Sequence, residues 1–137
     1  MLRKDYKIEL LKGVPLFAGC SKKELQQIAA VADELDFREG KTLIREGASG
    51  REFFVLVDGT AEITRGGKRL DVAGPGEFFG EMALLSDQPR NATVTTTSPV
   101  DLLVITAQSF RRLVESNPLI ALKVMRAVAE RVPASEL

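Results

Sequence analysis

A mainly β fold with flanking helices is the architecture this sequence predicts: an antiparallel jelly-roll (double-stranded β-helix) barrel preceded by N-terminal helices and followed by two C-terminal ones. Apolar residues recur at helical spacing near both ends of the chain, whereas from about Glu34 to Ile105 they alternate or run continuously in short stretches. Within that middle region, turn residues at Gly40, Gly47, Gly59, Gly66 and Gly74 stand roughly 7 to 12 residues apart, the rhythm of a sandwich or barrel. A jelly roll satisfies both observations, because it buries one face of many short antiparallel strands inside a single domain. The 137 residues suit one domain with a real core. It divides into an N-terminal helical segment, 1–33, a β-barrel, 34–105, with a distinctive segment at 76–93, and C-terminal helices, 107–132.

Each element has its own signal. Residues 3 to 12 set Tyr6, Leu10 and Leu11 among charges, an amphipathic helix that Gly13 terminates. Val14-Pro-Leu-Phe17 is short and apolar and anchors the entry segment against the core. Ser21-Lys-Lys-Glu24 has the spacing of a capping box, with Leu25, Ile28, Ala29 and Ala32 following at helical spacing. The period then changes: Leu35 and Phe37 alternate with Glu34, Asp36 and Arg38, and Leu43-Ile44 forms the next short run. Phe53-Phe-Val-Leu-Val57 reads as a strand, Asp58-Gly59 as a turn, and Ala61 and Ile63 as the returning strand of a hairpin. Leu70 and Val72, Ala92 to Thr96, and Val100 to Ile105 supply further strands. Helical spacing returns at Phe110, Leu113 and Val114, and Asn117-Pro118 ends that helix and opens another. In the last helix Ile120, Leu122, Val124, Met125, Ala127 and Val128 cover most of the circumference, which suits core packing, a lid over a ligand, or contact with a partner helix.

The segment from Gly74 to Val94 reads as an anion site. Gly76 and Gly80 allow close backbone approach and a tight loop. Glu81-Met-Ala-Leu-Leu85 is a run of helix formers long enough for one or two turns, whose first amides would face an anion. Arg90, after Pro89, adds a planar donor fork suited to phosphate oxygens, and Glu81 adds an acceptor. Acceptor and cation together point to a sugar phosphate. Taken singly, Glu81 is also a charge favourable at a helix start, and Arg90 a surface residue in a turn.

Phe79-Gly80-Glu81-Met82-Ala83-Leu84, followed by Pro89-Arg90-Asn91-Ala92-Thr93, resembles the phosphate-binding cassette of the cyclic nucleotide-binding domain family. That family includes catabolite activator proteins, kinase regulatory subunits and cyclic-nucleotide-gated channels. With Val14-Pro-Leu-Phe17 and the glycine spacing, the resemblance covers nearly the whole chain. It implies a bound cAMP or cGMP and no other cofactor, with Glu81 accepting from the ribose 2′-hydroxyl and Arg90 holding the cyclic phosphate. Gly80, Met82, Ala83 and Ala92 would offer backbone amides. The helix coupling that the resemblance implies requires the last helix to meet the pocket, and Met125 and Val128 are the candidate lid residues for that contact. In the family a threonine directly after the arginine often accompanies cGMP. Asn91 stands there instead, which favours cAMP, although its amide oxygen could accept from the guanine amino group. Gly50-Arg51 is a second departure, where many relatives carry an acidic residue.

Composition narrows the function classes. Lys plus Arg and Asp plus Glu both total 19, an even balance that argues against a nucleic-acid surface. One cysteine and no histidine leave no disulfide or zinc framework within the chain and no cupin-type ligand set. Cys20 is read as a structural thiol. Neither a signal peptide nor an apolar run of membrane-spanning length is visible, so a cytoplasmic location is expected. Asn91-Ala92-Thr93 matches a glycosylation acceptor only by coincidence, and the glycines before Gly80 lack the spacing of a dinucleotide fingerprint. No enzymatic constellation is evident. Only five residues follow Val132, so the output is expected through another protein or a covalently linked effector domain. The rival reading is a nucleotide-independent interaction module that keeps the fold.

Overall fold

The computed structural model describes residues 2–130 and divides the chain into two compact units. One is Ala32–Gln108, which contains all the strands; the other comprises the described parts of Met1–Val31 and Ser109–Leu137.

In the helical unit, α1 spans Lys4–Lys12 and buries Ile8 and Leu11, while Tyr6 stays exposed. Gly13 ends it with a right-handed backbone, its N–H donating to the carbonyls of Leu10 and Leu11. Pro15–Phe17 forms a 3-10 turn that buries Leu16 and Phe17, and the Phe17 ring lies 6.2 Å from that of Phe110. The helix α2, Lys22–Ala30, begins at the capping box read from the sequence: Glu24 N donates to Ser21 Oγ at 3.2 Å and Ser21 N to Glu24 Oε1 at 2.7 Å. Of the last two helices, α3 runs Ala107–Ser116 and α4 Pro118–Glu130; residues 131 and 132, which the sequence reading added to α4, lie outside the described residues. Asn117 serves both helices, its Nδ2 donating back to the Leu113 carbonyl and its own carbonyl accepting from Ile120 N. In α4, Ile120 and Val124 are fully buried one turn apart.

The strand unit holds eight strands: β1 Asp33–Phe37, β2 Thr42–Ile44, β3 Glu52–Asp58, β4 Ala61–Arg65, β5 Lys68–Ala73, β6 Phe78–Phe79, β7 Thr93–Thr96 and β8 Val100–Thr106. They form two antiparallel four-stranded sheets, ordered β1-β8-β3-β6 and β2-β7-β4-β5. The predicted mainly β, jelly-roll class holds, but the strands do not close into one barrel. Ile44, Phe54, Leu56, Ala61, Phe79, Val94, Leu102 and Val104, drawn from both sheets, make the buried core. Each of these side chains larger than alanine contributes about 1.5 to 3 kcal/mol on burial.

The hairpin expected at Asp58-Gly59 does not form. Both edges of β3 are occupied, by β8 and β6, and both edges of β4, by β5 and β7, so the turn carries the chain from one sheet to the other. The true hairpin joins β4 to β5 around Gly66-Gly67. The uninterrupted apolar run in β3 also has a cause, since Phe53 and Val55 are as buried as Phe54 and Leu56 and the strand has no solvent face along that run. Leu35, which alternates with charged residues in the sequence, is 44% exposed on β1, an edge strand. Thr96 is the buried polar residue of this unit; its hydroxyl accepts from Lys41 N and donates to the Arg38 carbonyl, both at 2.8 Å.

Candidate functional site

Between β6 and β7 the chain makes the segment from Gly80 to Ala92. Gly80 adopts φ 82°, a left-handed conformation that glycine enters without a Cβ penalty, and it turns the chain from β6 into a 3-10 turn, Glu81–Leu84. The helix of one or two turns expected here is thus a single tight one. Ala83 N donates to the Gly80 carbonyl at 3.0 Å, so the Ala83 amide is spent inside the turn.

Beyond the turn, the backbone of Arg90 is held on both sides. Its N–H donates to the Ala48 carbonyl at 2.9 Å and its carbonyl accepts from Gly47 N at 2.8 Å. The side chain, only 9% exposed, lies under this clamp. Nη2 donates to the Glu52 carbonyl at 2.6 Å, Nη1 reaches the Gly80 carbonyl at 3.5 Å, and the Glu52 carboxylate stands 4.0 Å away. Burial lowers the guanidinium's pKa, with Glu52 opposing, yet an arginine so far above neutrality stays charged at physiological pH. The guanidinium is thus desolvated, with two backbone carbonyls and one distant carboxylate as its partners and, among the described residues, no counter-charge in direct contact.

This arrangement rests on a residue the sequence reading left without consequence. A Cβ at Gly50 would overlap Arg90 Nε and Cζ, so the absence of a side chain at position 50 provides the space the guanidinium occupies. Arg51, the second departure noted in the sequence, points to the cassette instead, with Nη1 3.8 Å from Asp87 Oδ1.

A cavity of about 490 Å³ opens here, within the size range of small-ligand sites. Its lining includes all seven candidate contact residues: Gly80, Glu81, Met82, Ala83, Arg90, Asn91 and Ala92. Ile44, Ile63, Phe79 and Val94 supply apolar wall, while Ser86, Gln88 and Arg65 add polar groups. Met82 is 48% exposed at the rim, and Ala92 is buried. Arg65 escaped the sequence reading altogether. Its Nε donates to the Asn91 carbonyl at 2.8 Å, and the signal that could have found it is strand register, since Thr64 pairs with Thr93 and so places Arg65 beside the cassette's end. The two candidate lid residues belong to α4, where Met125 is 63% exposed and Val128 half-buried.

Cys20 sits half-buried in the helical unit. Burial first, then Glu24, push its thiol up, and Lys123 only partly opposes them, a setting that keeps the sulfur protonated. Among the described residues no helix is long and apolar enough to cross a membrane.

The strand unit thus holds a ligand-sized cavity lined by a buried arginine and a glutamate-bearing turn. The chain matches the cyclic nucleotide-binding domain model over residues 34–117, well over half its length, and it belongs to that family. It is 35% identical over 114 residues to the cGMP-dependent protein kinase of Eimeria tenella, a match covering 81% of this chain and 11% of that protein. To the cAMP-dependent protein kinase regulatory subunit of Schizosaccharomyces pombe it is 34% identical over 105 residues, covering 76% of this chain and 26% of the other. Among solved structures, the N-terminal domain of a transcriptional regulator from Streptomyces coelicolor A3(2) superposes with a TM-score of 0.83 at 31% identity, covering 89% of this chain and 91% of that one. The chain therefore spans between about a tenth and a quarter of the length of these two kinase-type relatives.

Proposed function

We propose that this chain is a non-catalytic cytoplasmic sensor that binds a cyclic nucleotide reversibly, cAMP in preference to cGMP, and reports occupancy through its C-terminal helices to another protein or a covalently linked effector domain. The observation that carries this reading is the desolvated guanidinium of Arg90 in a cavity that Glu81 also lines. Arg90 takes the cyclic phosphate and Glu81 the ribose 2′-hydroxyl. The backbone of Gly80, Met82 and Ala92 completes the contacts, and Ala83 contributes its amide only if the bond to Gly80 is exchanged for the ligand. Asn91, where the family's cGMP binders often have threonine, supports adenine as the base.

Coupling to the helices requires the ligand to bind two arrangements of the protein with different affinity. Met125 and Val128 are the residues through which we expect α4 to meet the bound nucleotide. Thermal unfolding with each nucleotide tests the binding, because a ligand at ~100 times its dissociation constant adds about 2.7 kcal/mol of stability. A larger shift with cAMP than with cGMP is expected. No shift with either would leave the nucleotide-independent interaction module as the better reading. Coupling is tested by hydrogen exchange, and unchanged protection of Pro118–Glu130 on saturation would remove it.

A further inference from the structure

Arg65 is a charged residue of the cavity that neither the phosphate nor the sugar requires. It ends β4, directly before the Gly66-Gly67 turn, in register with Lys68. Its Nε is fixed on the Asn91 carbonyl at 2.8 Å, which holds the guanidinium beside the segment that carries Arg90. Among the described residues no carboxylate stands within ion-pair distance of it. Glu46, which reaches the same turn, uses Oε1 on the Gly66 amide. A guanidinium carries five N–H donors in one plane, so anchoring Nε leaves those on both Nη nitrogens for a ligand.

The titratable lining of the cavity consists of Arg65, Glu81 and Arg90. A cyclic nucleotide brings one phosphate charge, which Arg90 matches, and one free ribose hydroxyl, which Glu81 accepts. The part of the ligand left for Arg65 is the base. Adenine and guanine share an acceptor, N7, on the edge away from the sugar, and pyrimidines have no equivalent.

We infer that Arg65 is a base-specificity residue: anchored on the Asn91 carbonyl, it donates from Nη to purine N7 and so selects purine over pyrimidine cyclic nucleotides, leaving adenine against guanine to Asn91. The inference rests on the cyclic-nucleotide reading above. The test is titration calorimetry of the full chain with cAMP, 7-deaza-cAMP and cCMP, on the wild type, Arg65→Ala and Arg65→Gln. The wild type should bind cAMP roughly 10- to 100-fold more tightly than the 7-deaza analogue, the usual worth of a hydrogen bond to a charged group, and cCMP more weakly than cAMP. Arg65→Ala should bring cAMP down to the level of the analogue, closing the ratio between the two ligands. Arg65→Gln, which keeps a donor for the Asn91 carbonyl but loses the charged fork, should close the same gap. If Arg65 merely props the Asn91 segment, both ligands weaken together and the ratio survives, which overturns the inference. Equal binding of cAMP and its analogue by the wild type overturns it too, while leaving the cyclic-nucleotide reading intact. Failure of the wild type to bind all three ligands removes both.

Discussion

Each of the two units carries a charged pair of residues distant in sequence, and the pairs differ in how they are satisfied. In the helical unit, Lys123 Nζ meets Glu24 Oε1 at 2.5 Å, and the same carboxylate accepts from Ser21 N at the start of α2. That pair is closed: each charge finds a partner in direct contact, and the arrangement ties α2 to α4. In the strand unit, Arg90 and Glu52 stand 4.0 Å apart, and the cation leans on backbone carbonyls. That pair is open, with a buried cation beside a cavity. A closed pair has its charges matched within the fold, whereas the open one leaves room for the anion proposed above for Arg90.

The largest expected effect lies on the open side. Arg90→Ala should weaken nucleotide binding by about 2 to 5 kcal/mol in calorimetry, the range for removing one member of a buried charge pair. Unchanged affinity would put the anion elsewhere. Gly50→Ala sharpens the point without touching a contact residue. Its Cβ would displace the Arg90 fork, and an overpacked position of this kind typically costs about 1 to 3 kcal/mol, here expected in affinity because a side-chain end can move aside more cheaply than backbone. A Gly50→Ala protein of wild-type affinity would show that the observed placement of Arg90 is not the one used in binding.

On the closed side the effects fall on stability. Ser21→Ala removes the cap and should cost about 1 kcal/mol in denaturant unfolding, with nucleotide affinity unchanged. The smallest effect is in pH. The hydrogen bond from Lys123 first, and that from Ser21 next, hold the Glu24 carboxyl below its ordinary value of 4.5. A depressed folded-state pKa contributes stability that is fully present above the unfolded value and is lost as pH falls through the folded one. Unfolding midpoints should therefore drop below about pH 4.5, and Lys123→Ala should flatten that part of the acid limb. An identical acid limb in the variant would mean that Lys123 is not what lowers Glu24.

Elements governed by neighbours in sequence could be read directly. Ser21 and Glu24 are three residues apart and cap α2 as their spacing requires, and Asn117-Pro118 divides α3 from α4 through bonds spanning three or four residues. The cassette was legible for the same reason, since the left-handed glycine, the turn after it and Arg90 lie on one continuous segment. Asp58-Gly59 misled because turn chemistry specifies a change of direction and says nothing about which strand will hold the edges of β3. Closure into a barrel likewise depends on pairings between strands far apart in the chain.

By itself, then, the sequence determined the strand-rich middle, the helices with their caps, the family resemblance and the composition of the cassette, because hydrophobic period, turn residues and short-range hydrogen bonds are local properties of a chain. Only the tertiary structure decided that two open sheets replace a barrel, that Gly50 makes room for Arg90, and that Arg65 reaches the Asn91 carbonyl. Arg90 lies 40 residues after Gly50, and Arg65 is 26 from Asn91. Contacts across such distances are set by sheet register and packing, which no spacing along the chain records.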